Sequence, residues 1–242
     1  MFSARILLLI TFVISTLSES LFEPCHIDDL QCIRVATQTF LSKTYSGSEE
    51  MGIKAINPLT LPSLDIITAE VKGMTLIIKN ATVAGLKDLQ VSDFKMDTWQ
   101  QSATLKLQAN LTINLALEIN ALSVPHKKIR DVCSLSILIL ETSKYGYSLK
   151  DIKGTKYYEV GPETNSCTIL SKPIVTMGNK LRHFLDQDVI EGHSKTGLEF
   201  QEFAIPNSVL HKIVNSSFET IIQNLRTIAT LLPSTAFFVD VY

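Results

Sequence analysis

The feature that most limits how this chain can fold is a long run of alternating residues in its middle. Between residues 105 and 120, apolar side chains occupy the odd positions and polar ones the even positions, with Ala116 as the one break. Only an extended strand sends successive side chains to opposite faces, because a helix repeats about every 3.6 residues. A strand of this length spans about 50 Å and must twist. The sequence therefore predicts a sheet that curls and has one apolar face.

The C-terminal third follows a different period. Between Pro206 and Pro233, apolar residues recur at the i, i+3, i+4 and i+7 spacing of an amphipathic helix. Pro206 suits the first turn of such a helix, and Pro233 ends it. At about 1.5 Å per residue the helix is about 40 Å long, close to the length of the predicted strand. A shorter helix is predicted within residues 24–43, after a turn that contains two cysteines.

Further extended segments flank the long strand. They are rich in β-branched or aromatic residues, are separated by glycines, and cover residues 74–83, 91–96, 129–140, 145–152, 157–160 and 168–177. Short connections between neighbouring strands favour an antiparallel sheet.

A one-faced sheet and a one-faced helix of similar length can bury their apolar sides against each other. We therefore predict an α+β fold in which a long C-terminal helix is wrapped by a highly curved antiparallel β-sheet, forming a tubular roll. The periodicity alone leaves open whether the core of this roll is fully packed or holds apolar cavities that would suit a lipid.

The N-terminus has the three parts of a secretory signal peptide. Arg5 supplies the positive charge, residues 6–14 form a short apolar run, and Ser18 and Ser20 provide small residues for cleavage. An uncleaved anchor is the alternative, although the apolar run is short for a transmembrane helix. Residues 21–242 are then expected to form one secreted, extracellular domain without a transmembrane anchor. The net charge of -2 gives no electrostatic reason to expect nucleic-acid binding.

Four cysteines remain in the predicted mature chain, and an even number favours disulfides in a secreted protein. Cys25 and Cys32 enclose a short loop and are the easier pair. Cys133 with Cys167 follows by elimination. Two free, buried thiols at these positions are the alternative.

Three Asn-x-Ser/Thr triplets are acceptor sites for N-linked glycans in a secreted protein. They begin at Asn80, Asn110 and Asn215. Each triplet is a weak signal alone, but together with a signal peptide the three are predicted to be usable sites.

The sequence contains no complete catalytic or metal-binding motif. Residues 192–197 (GHSKTG) are similar to a hydrolase nucleophile turn around Ser194, but the second glycine is one residue late and no apolar strand precedes it. The five histidines do not fall at metal-ligand spacing from one another or from a cysteine. We therefore predict that the protein is not an enzyme and holds no metal or cofactor. A secreted esterase acting through Ser194 is the alternative.

Several short stretches of the chain together resemble one known family. They are a Pro24-Cys25 start with Cys32 seven residues on, INPL at 56–59, NATVAGL at 80–86, VSDFKMD at 91–97, YGYSLK at 145–150, EVGPET at 159–164 and LPSTAFF at 232–238. Each motif is loose, but their order is specific and covers essentially the whole mature chain. In these features the chain resembles the haemolymph juvenile hormone binding proteins, which are relatives of the takeout proteins.

The resemblance implies the same tubular fold and adds that the roll holds apolar cavities. In the family, one cavity binds a sesquiterpenoid hormone and the N-terminal helix acts as its lid. Tyr145 matches the family tyrosine whose hydroxyl meets the hormone's epoxide, and we predict that Tyr158 and Phe237 also contact the ligand. From the residues alone, a structural tyrosine at a turn is the alternative for Tyr145. We expect a monomeric haemolymph carrier of a small hydrophobic ligand, either juvenile hormone or a related terpenoid or fatty lipid.

One departure from the family concerns the cysteines. In the hormone carriers, the cysteine that matches Cys167 pairs with one on the C-terminal helix, but that helix contains no cysteine here. Cys133 is extra by comparison, so a second disulfide would be rewired. This divergence leaves ligand identity open, and the alternative function is a takeout-like secreted protein-interaction module that does not bind the hormone.

Overall fold

The computed structural model describes residues 21–61, 67–71, 74–121, 128–190 and 205–241. Within these ranges the chain forms one eight-stranded sheet and three α-helices. The helices are α1 (Leu30–Thr44), α2 (Asn179–Ile190) and α3 (Asn207–Leu231). The strands are β1 (Leu59–Leu61), β2 (Ile67–Val71), β3 (Met74–Ala84), β4 (Gln90–Asp97), β5 (Ser102–Ala121), β6 (Lys128–Ile152), β7 (Thr155–Ile169) and β8 (Ile174–Met177). The predicted signal peptide lies outside the described residues.

The sheet is built around one long hairpin of β5 and β6. Their pairing runs without a break from Ser102 opposite Gly146 to Asn120 opposite Lys128. The outer edge of each hairpin strand pairs with two shorter strands in succession. β4 and β3 pair with the two halves of β5, and β8 and β7 pair with successive parts of β6. β1 and β2 then pair with β3. Each of these strand pairs is antiparallel, as the short connections predict.

The alternating run forms the inner face of the roll. Each odd position of β5 from Ala103 to Ile119 is buried, whereas the even positions between Gln108 and Asn114 are exposed. Helix α3 packs against β7 and β1 and buries the apolar stripe seen in the sequence, with Phe218 fully enclosed. The predicted fold class is thus confirmed, because each element has one apolar face and the two faces cover each other.

Several strand boundaries differ from the prediction: β1 and β2 were not predicted, and the strand predicted at 157–160 is the much longer β7. The segments predicted at 129–140 and 145–152 are one strand, β6, because the polar residues between them keep their ladder partners on both neighbouring strands. The segment predicted at 168–177 is instead divided between the end of β7 and β8. Pro173 stands between these strands and lacks the backbone N–H that a continuous ladder needs.

The predicted Cys25–Cys32 disulfide is present, with 5.7 Å between the two Cα atoms. It closes the turn directly before α1, whose first turn is capped by the Asp29 carboxylate accepting the Cys32 N–H at 2.9 Å. Cys25 also donates its backbone N–H to the Phe237 carbonyl at 3.1 Å and accepts one from Val239 at 3.1 Å. The disulfide therefore fastens the N-terminal segment to both α1 and the C-terminal segment.

The predicted Cys133–Cys167 disulfide is wrong, and both residues are free thiols. Both cysteines can be placed along β6. Cys133 lies on this strand, and Cys167 on β7 pairs with Glu141 of the same strand. Eight residues of one continuous strand separate Cys133 from Glu141, which is about 26 Å at about 3.3 Å per residue. A disulfide needs Cα atoms within about 7 Å. The structure therefore has the alternative arrangement, two free thiols at Cys133 and Cys167.

A carboxyl group is buried beside one of these thiols. Glu141 is fully inaccessible to solvent, and its carboxyl oxygens form no well-aligned hydrogen bond; the Cys167 thiol is the polar group beside them. Leu107 lies opposite it on β5, and Cys167 lies opposite it on β7. Burial raises the pKa of Glu141 from 4.5 to about 7, and the adjacent Cys167 thiol offsets only part of this rise.

The cysteine assignment can be checked by counting thiols. The denatured but unreduced mature protein should react with a maleimide at Cys133 and Cys167 only, because Cys25 and Cys32 are joined. Peptide mapping by mass spectrometry without reductant identifies the labelled positions. A peptide linking Cys133 to Cys167 would contradict the register of β6 and β7.

Burial of Glu141 should make stability depend on pH. Its pKa is raised in the folded state, so folding keeps the proton bound, and the free energy of unfolding should fall as pH rises from about 4.5 to about 7. Replacing Glu141 with Gln should remove this loss, which amounts to about 3 kcal/mol. Urea unfolding should therefore show Glu141→Gln to be more stable than wild type at about pH 8 and little different at about pH 4.

The matched control for this substitution is Glu219→Gln. Glu219 is exposed on α3, so neutralising it should leave the pH dependence of unfolding as in wild type. If Glu141→Gln retained the wild-type decline in stability between these pH values, Glu141 would not be the group responsible.

Candidate ligand cavity

A cavity of about 150 Å³ lies at one end of the roll. It is lined by four neighbouring strands, by α1 and α3, and by the two terminal segments, and its lining is predominantly apolar. The residues around it are Phe22, Glu23, Cys25, Ile33, Ala36, Thr37, Phe94, Met96, Ala103, Leu105, Tyr145, Tyr147, Tyr158, Val160, Leu225, Ala229, Phe237 and Phe238. The antiparallel sheet and both ends of the domain thus converge on one site.

Aromatic rings form the wall nearest the C-terminal segment. Tyr158 stands edge-on to Tyr147 with 5.5 Å between ring centroids, and edge-on to Phe237 at 6.0 Å and Phe238 at 6.3 Å. Phe238 in turn stacks on Phe94 of β4 at 5.7 Å. These edge-to-face and stacked contacts tie β4, β6 and β7 to the C-terminal segment and give the cavity a firm wall.

Three tyrosines line the cavity, and only one of them has its hydroxyl engaged. Tyr147 donates to the backbone oxygen of Asp97 at 3.4 Å. The hydroxyl of Tyr158 is buried without a partner. Tyr145 forms no side-chain hydrogen bond with the described residues, and burial, with a smaller contribution from Tyr147, raises its pKa to about 12. Tyr145 and Tyr158 are therefore neutral at physiological pH, and the hydroxyl of each can donate a hydrogen bond to a ligand.

A second, smaller cavity continues inward from the first. It measures about 50 Å³ and shares four lining residues with its neighbour: Phe22, Thr37, Leu105 and Leu225. Phe22 stacks on Phe40 at 4.9 Å and contacts Phe237 at 5.0 Å, so it stands at the boundary between the two spaces. A cavity of about 150 Å³ accommodates a molecule the size of benzene. A longer ligand would have to extend into both spaces and displace a side chain that separates them.

The residues predicted to contact ligand meet in this cavity. Tyr145, Tyr158 and Phe237 all line it, although they come from β6, β7 and the C-terminal segment. Tyr147 and Phe238 also line the cavity and were not predicted from the sequence. Tyr147 could have been found, because strand periodicity places it on the same face as Tyr145 two residues earlier. Nothing comparable in the sequence identifies Phe22.

The three sequon asparagines have different surroundings. Asn80 on β3 and Asn110 on β5 are exposed. Asn215 on α3 is half-buried, and its side-chain oxygen is enclosed without a hydrogen-bond partner. Asn80 and Asn110 are thus the more accessible acceptor sites in the folded protein.

The described residues offer neither a metal site nor a membrane-spanning helix. Across the described ranges, no three His, Cys, Asp or Glu side chains are grouped so that they could hold a metal ion. No helix in the same ranges is long and apolar enough to cross a membrane. The loop at 192–197, with Ser194, lies outside the residues that the structure describes.

An apolar cavity at the end of a sheet rolled around a helix is the kind of space in which proteins bind small hydrophobic ligands. Residues 6–129 match the family described as haemolymph juvenile hormone binding protein. The chain is 38% identical to the juvenile hormone-binding protein of Manduca sexta, over 92% of this chain and 97% of that one. The chain belongs to the haemolymph juvenile hormone binding protein family.

The fold also has a solved counterpart. Takeout 1 of Epiphyas postvittana superimposes with a TM-score of 0.63, covering 89% of this chain and 99% of that structure. Sequence identity in this pair is 15%, so the likeness concerns the fold alone.

The cavity can be tested by filling it. Ala103 lines it from β5, so Ala103→Phe places a ring in existing space and should change the free energy of unfolding little. Ala109 is buried on the same face of the same strand but does not line the cavity. Ala109→Phe should therefore overpack the core and cost about 1–3 kcal/mol. Urea unfolding of the two variants measures the difference, and an equal loss in both would mean that no space exists beside Ala103.

Proposed function

We propose that this protein is a secreted, non-enzymatic carrier that binds juvenile hormone or a closely related terpenoid in the cavity at the end of the roll. The observation that carries the proposal is the pairing of an apolar cavity with two uncommitted tyrosine hydroxyls, Tyr145 and Tyr158. A sesquiterpenoid ester has the complementary form, a long hydrocarbon chain with few oxygen acceptors. Membership of the family supports this ligand class.

Burial of the hydrocarbon supplies most of the affinity in this mechanism. Enclosing a chain of about sixteen carbons removes about 400 Å² of apolar surface from water, worth on the order of 10 kcal/mol before the costs of association. The described cavity holds only part of such a chain, so binding would draw Phe22 aside and join the larger space to the smaller one. A tyrosine hydroxyl would then fix which end of the ligand lies against β6.

Transport through an extracellular fluid is consistent with the chemistry of the chain. The N-terminal segment has the features of a secretory signal, and the Cys25–Cys32 disulfide suits an oxidising compartment. Glycans at the exposed Asn80 and Asn110 would lie on the outer face of the sheet, away from the cavity. We propose that the mature protein acts there as a monomer, since one chain supplies every wall of the cavity.

A second candidate, a takeout-like interaction module without the hormone as ligand, is favoured by one observation. The larger cavity, at about 150 Å³, is smaller than the range of about 300–1,000 Å³ usual for drug-sized ligands. Native mass spectrometry of the purified protein, followed by lipid extraction, separates the two functions. A hormone carrier should retain or take up a terpenoid, whereas a protein that neither carries nor binds any lipophilic molecule would support the module.

The role of Tyr145 can be tested by removing its hydroxyl alone. If Tyr145 donates a hydrogen bond to a ligand oxygen, Tyr145→Phe leaves a buried acceptor unpaired at a cost of about 1–3 kcal/mol. Affinity for tritiated juvenile hormone should then fall roughly 5- to 150-fold. Affinity for a saturated hydrocarbon of the same length should hardly change, because that ligand offers no acceptor.

The matched control is Tyr157→Phe, which alters a half-buried tyrosine on β7 that does not line the cavity. Hormone affinity in this variant should equal that of wild type. If Tyr145→Phe bound both ligands as wild type does, Tyr145 would be a structural residue and Tyr158→Phe would become the next variant to measure.

A further inference from the structure

The most exposed large apolar side chain at the cavity end of the roll is a tryptophan. Trp99 is 96% exposed in the turn between β4 and β5, and it is the only tryptophan in the sequence. The turn is well defined, since the Asp97 carboxylate accepts the backbone N–H groups of Trp99 at 2.9 Å and Gln100 at 2.8 Å. The backbone of the turn thus keeps Trp99 at its tip, where no described residue covers the indole.

This turn directly adjoins the ligand cavity. Met96 and Ala103 face each other at the base of the β4–β5 hairpin, and both line the cavity. Tyr147, another lining residue, donates its hydroxyl to the Asp97 carbonyl at the start of the turn. Trp99 therefore stands only a few residues beyond the cavity wall, on the same end of the sheet.

The turn between β6 and β7 carries another exposed apolar side chain, and lysines flank it. Because the strands are antiparallel, the β6–β7 turn lies at the same end of the sheet as the β4–β5 turn. Ile152 at this turn is 45% exposed. The surrounding segment, 150–156, carries three exposed lysines against one aspartate, Asp151, which accepts the Gly154 N–H at 2.7 Å.

We propose that this end of the roll docks on a lipid membrane, with Trp99 entering the headgroup region beside the cavity. Tryptophan favours this region because one side of the indole is apolar and its N–H remains in contact with polar groups. Lys150, Lys153 and Lys156 are placed to meet anionic headgroups. The purpose of docking, loading of a hydrophobic ligand, rests on the proposed carrier function, but docking itself requires no ligand.

A lipid surface fits this end better than a protein partner does. Trp99 and Ile152 stand on two separate turns and Val239 on the C-terminal segment, so the exposed apolar groups are scattered, whereas a protein interface would need a continuous packed core. A shallow, fluid headgroup layer accepts separate tips without shape complementarity. A hydrophobic ligand is also concentrated in membranes, so docking beside the cavity shortens its path through water.

Trp99 reports on its own environment, because it is the sole tryptophan. Vesicles of four parts phosphatidylcholine to one part phosphatidylserine should shift its fluorescence emission to shorter wavelengths, and brominated lipids should quench it. Trp99→Ala should weaken vesicle binding roughly tenfold or more, since an indole carries about 200 Å² of buriable surface. Emission that stays unchanged in excess vesicles, or wild-type vesicle binding by Trp99→Ala, would overturn the proposal.

A relocated tryptophan provides the control. Val132 is 62% exposed on β6, fourteen residues from Gly146 and so about 46 Å along the strand from the cavity end. In the double variant Trp99→Phe, Val132→Trp, the emission should remain that of an indole in water when vesicles are added. An equal blue shift from this position would show adsorption without orientation and would also overturn the proposal.

The docking proposal and the carrier proposal can be tested independently of each other. Trp99 does not line the cavity, so Trp99→Ala should bind tritiated juvenile hormone in vesicle-free buffer as wild type does, while taking it up more slowly from preloaded vesicles. A protein that shows the vesicle-dependent blue shift but binds no hormone would keep the docking surface and lose the proposed ligand. A protein that binds hormone without the shift would lose only the docking surface.

Discussion

The continuous pairing of β5 with β6 is the constraint on which the rest of the structure depends. A ladder that runs unbroken from Ser102 to Asn120 accumulates the twist of every residue pair, so a sheet of this length must coil. The inward face of β5 is apolar throughout, and coiling turns that face around α3 rather than toward water. The shorter strands pair in tandem along the outer edges of this hairpin, which widens the sheet enough to enclose the helix.

The cavity exists because the roll is closed at one end by the two terminal segments and not by the sheet. Phe22 and Cys25 approach from the N-terminus, and Phe237 and Phe238 approach from the C-terminus. Backbone hydrogen bonds join these segments at Cys25, and the disulfide to Cys32 holds both against α1. Covalent and backbone contacts thus hold the two terminal segments in place around a space lined by aromatic side chains. That arrangement permits a hydrophobic ligand to displace rings without unfolding the strands.

The inner face of the sheet changes character along β6 and β7. The first half of β6 is apolar, but beyond Ile139 the inward positions are Glu141 and Ser143, and Ser143 donates to Asn165 at 2.8 Å. Nearby, Arg226 of α3 donates to the carbonyl of Gly161 and to Glu163. These polar contacts hold the helix against β7. The free Cys167 and the buried Glu141 lie in this same region, so its interior is held by hydrogen bonds and an ion pair.

The sequence by itself determined the faces of the molecule, because a period of two and a period of 3.6 each fix which side chains lie together on one element. The long strand, the long helix, their mutual burial and the Cys25–Cys32 loop are all local patterns, and they appear in the structure as predicted. Ligand contacts at Tyr145, which matches a family tyrosine, and at Tyr158 and Phe237 stay predictions, although all three residues line one cavity. Tertiary structure alone decided what no local pattern encodes. It set the register that keeps Cys133 and Cys167 apart, buried the Glu141 carboxyl beside the Cys167 thiol, and brought Phe22 and Trp99 to the cavity end of the roll. Register and the packing of terminal segments depend on contacts between residues far apart in the chain, so they are fixed only when the sheet closes around its helix.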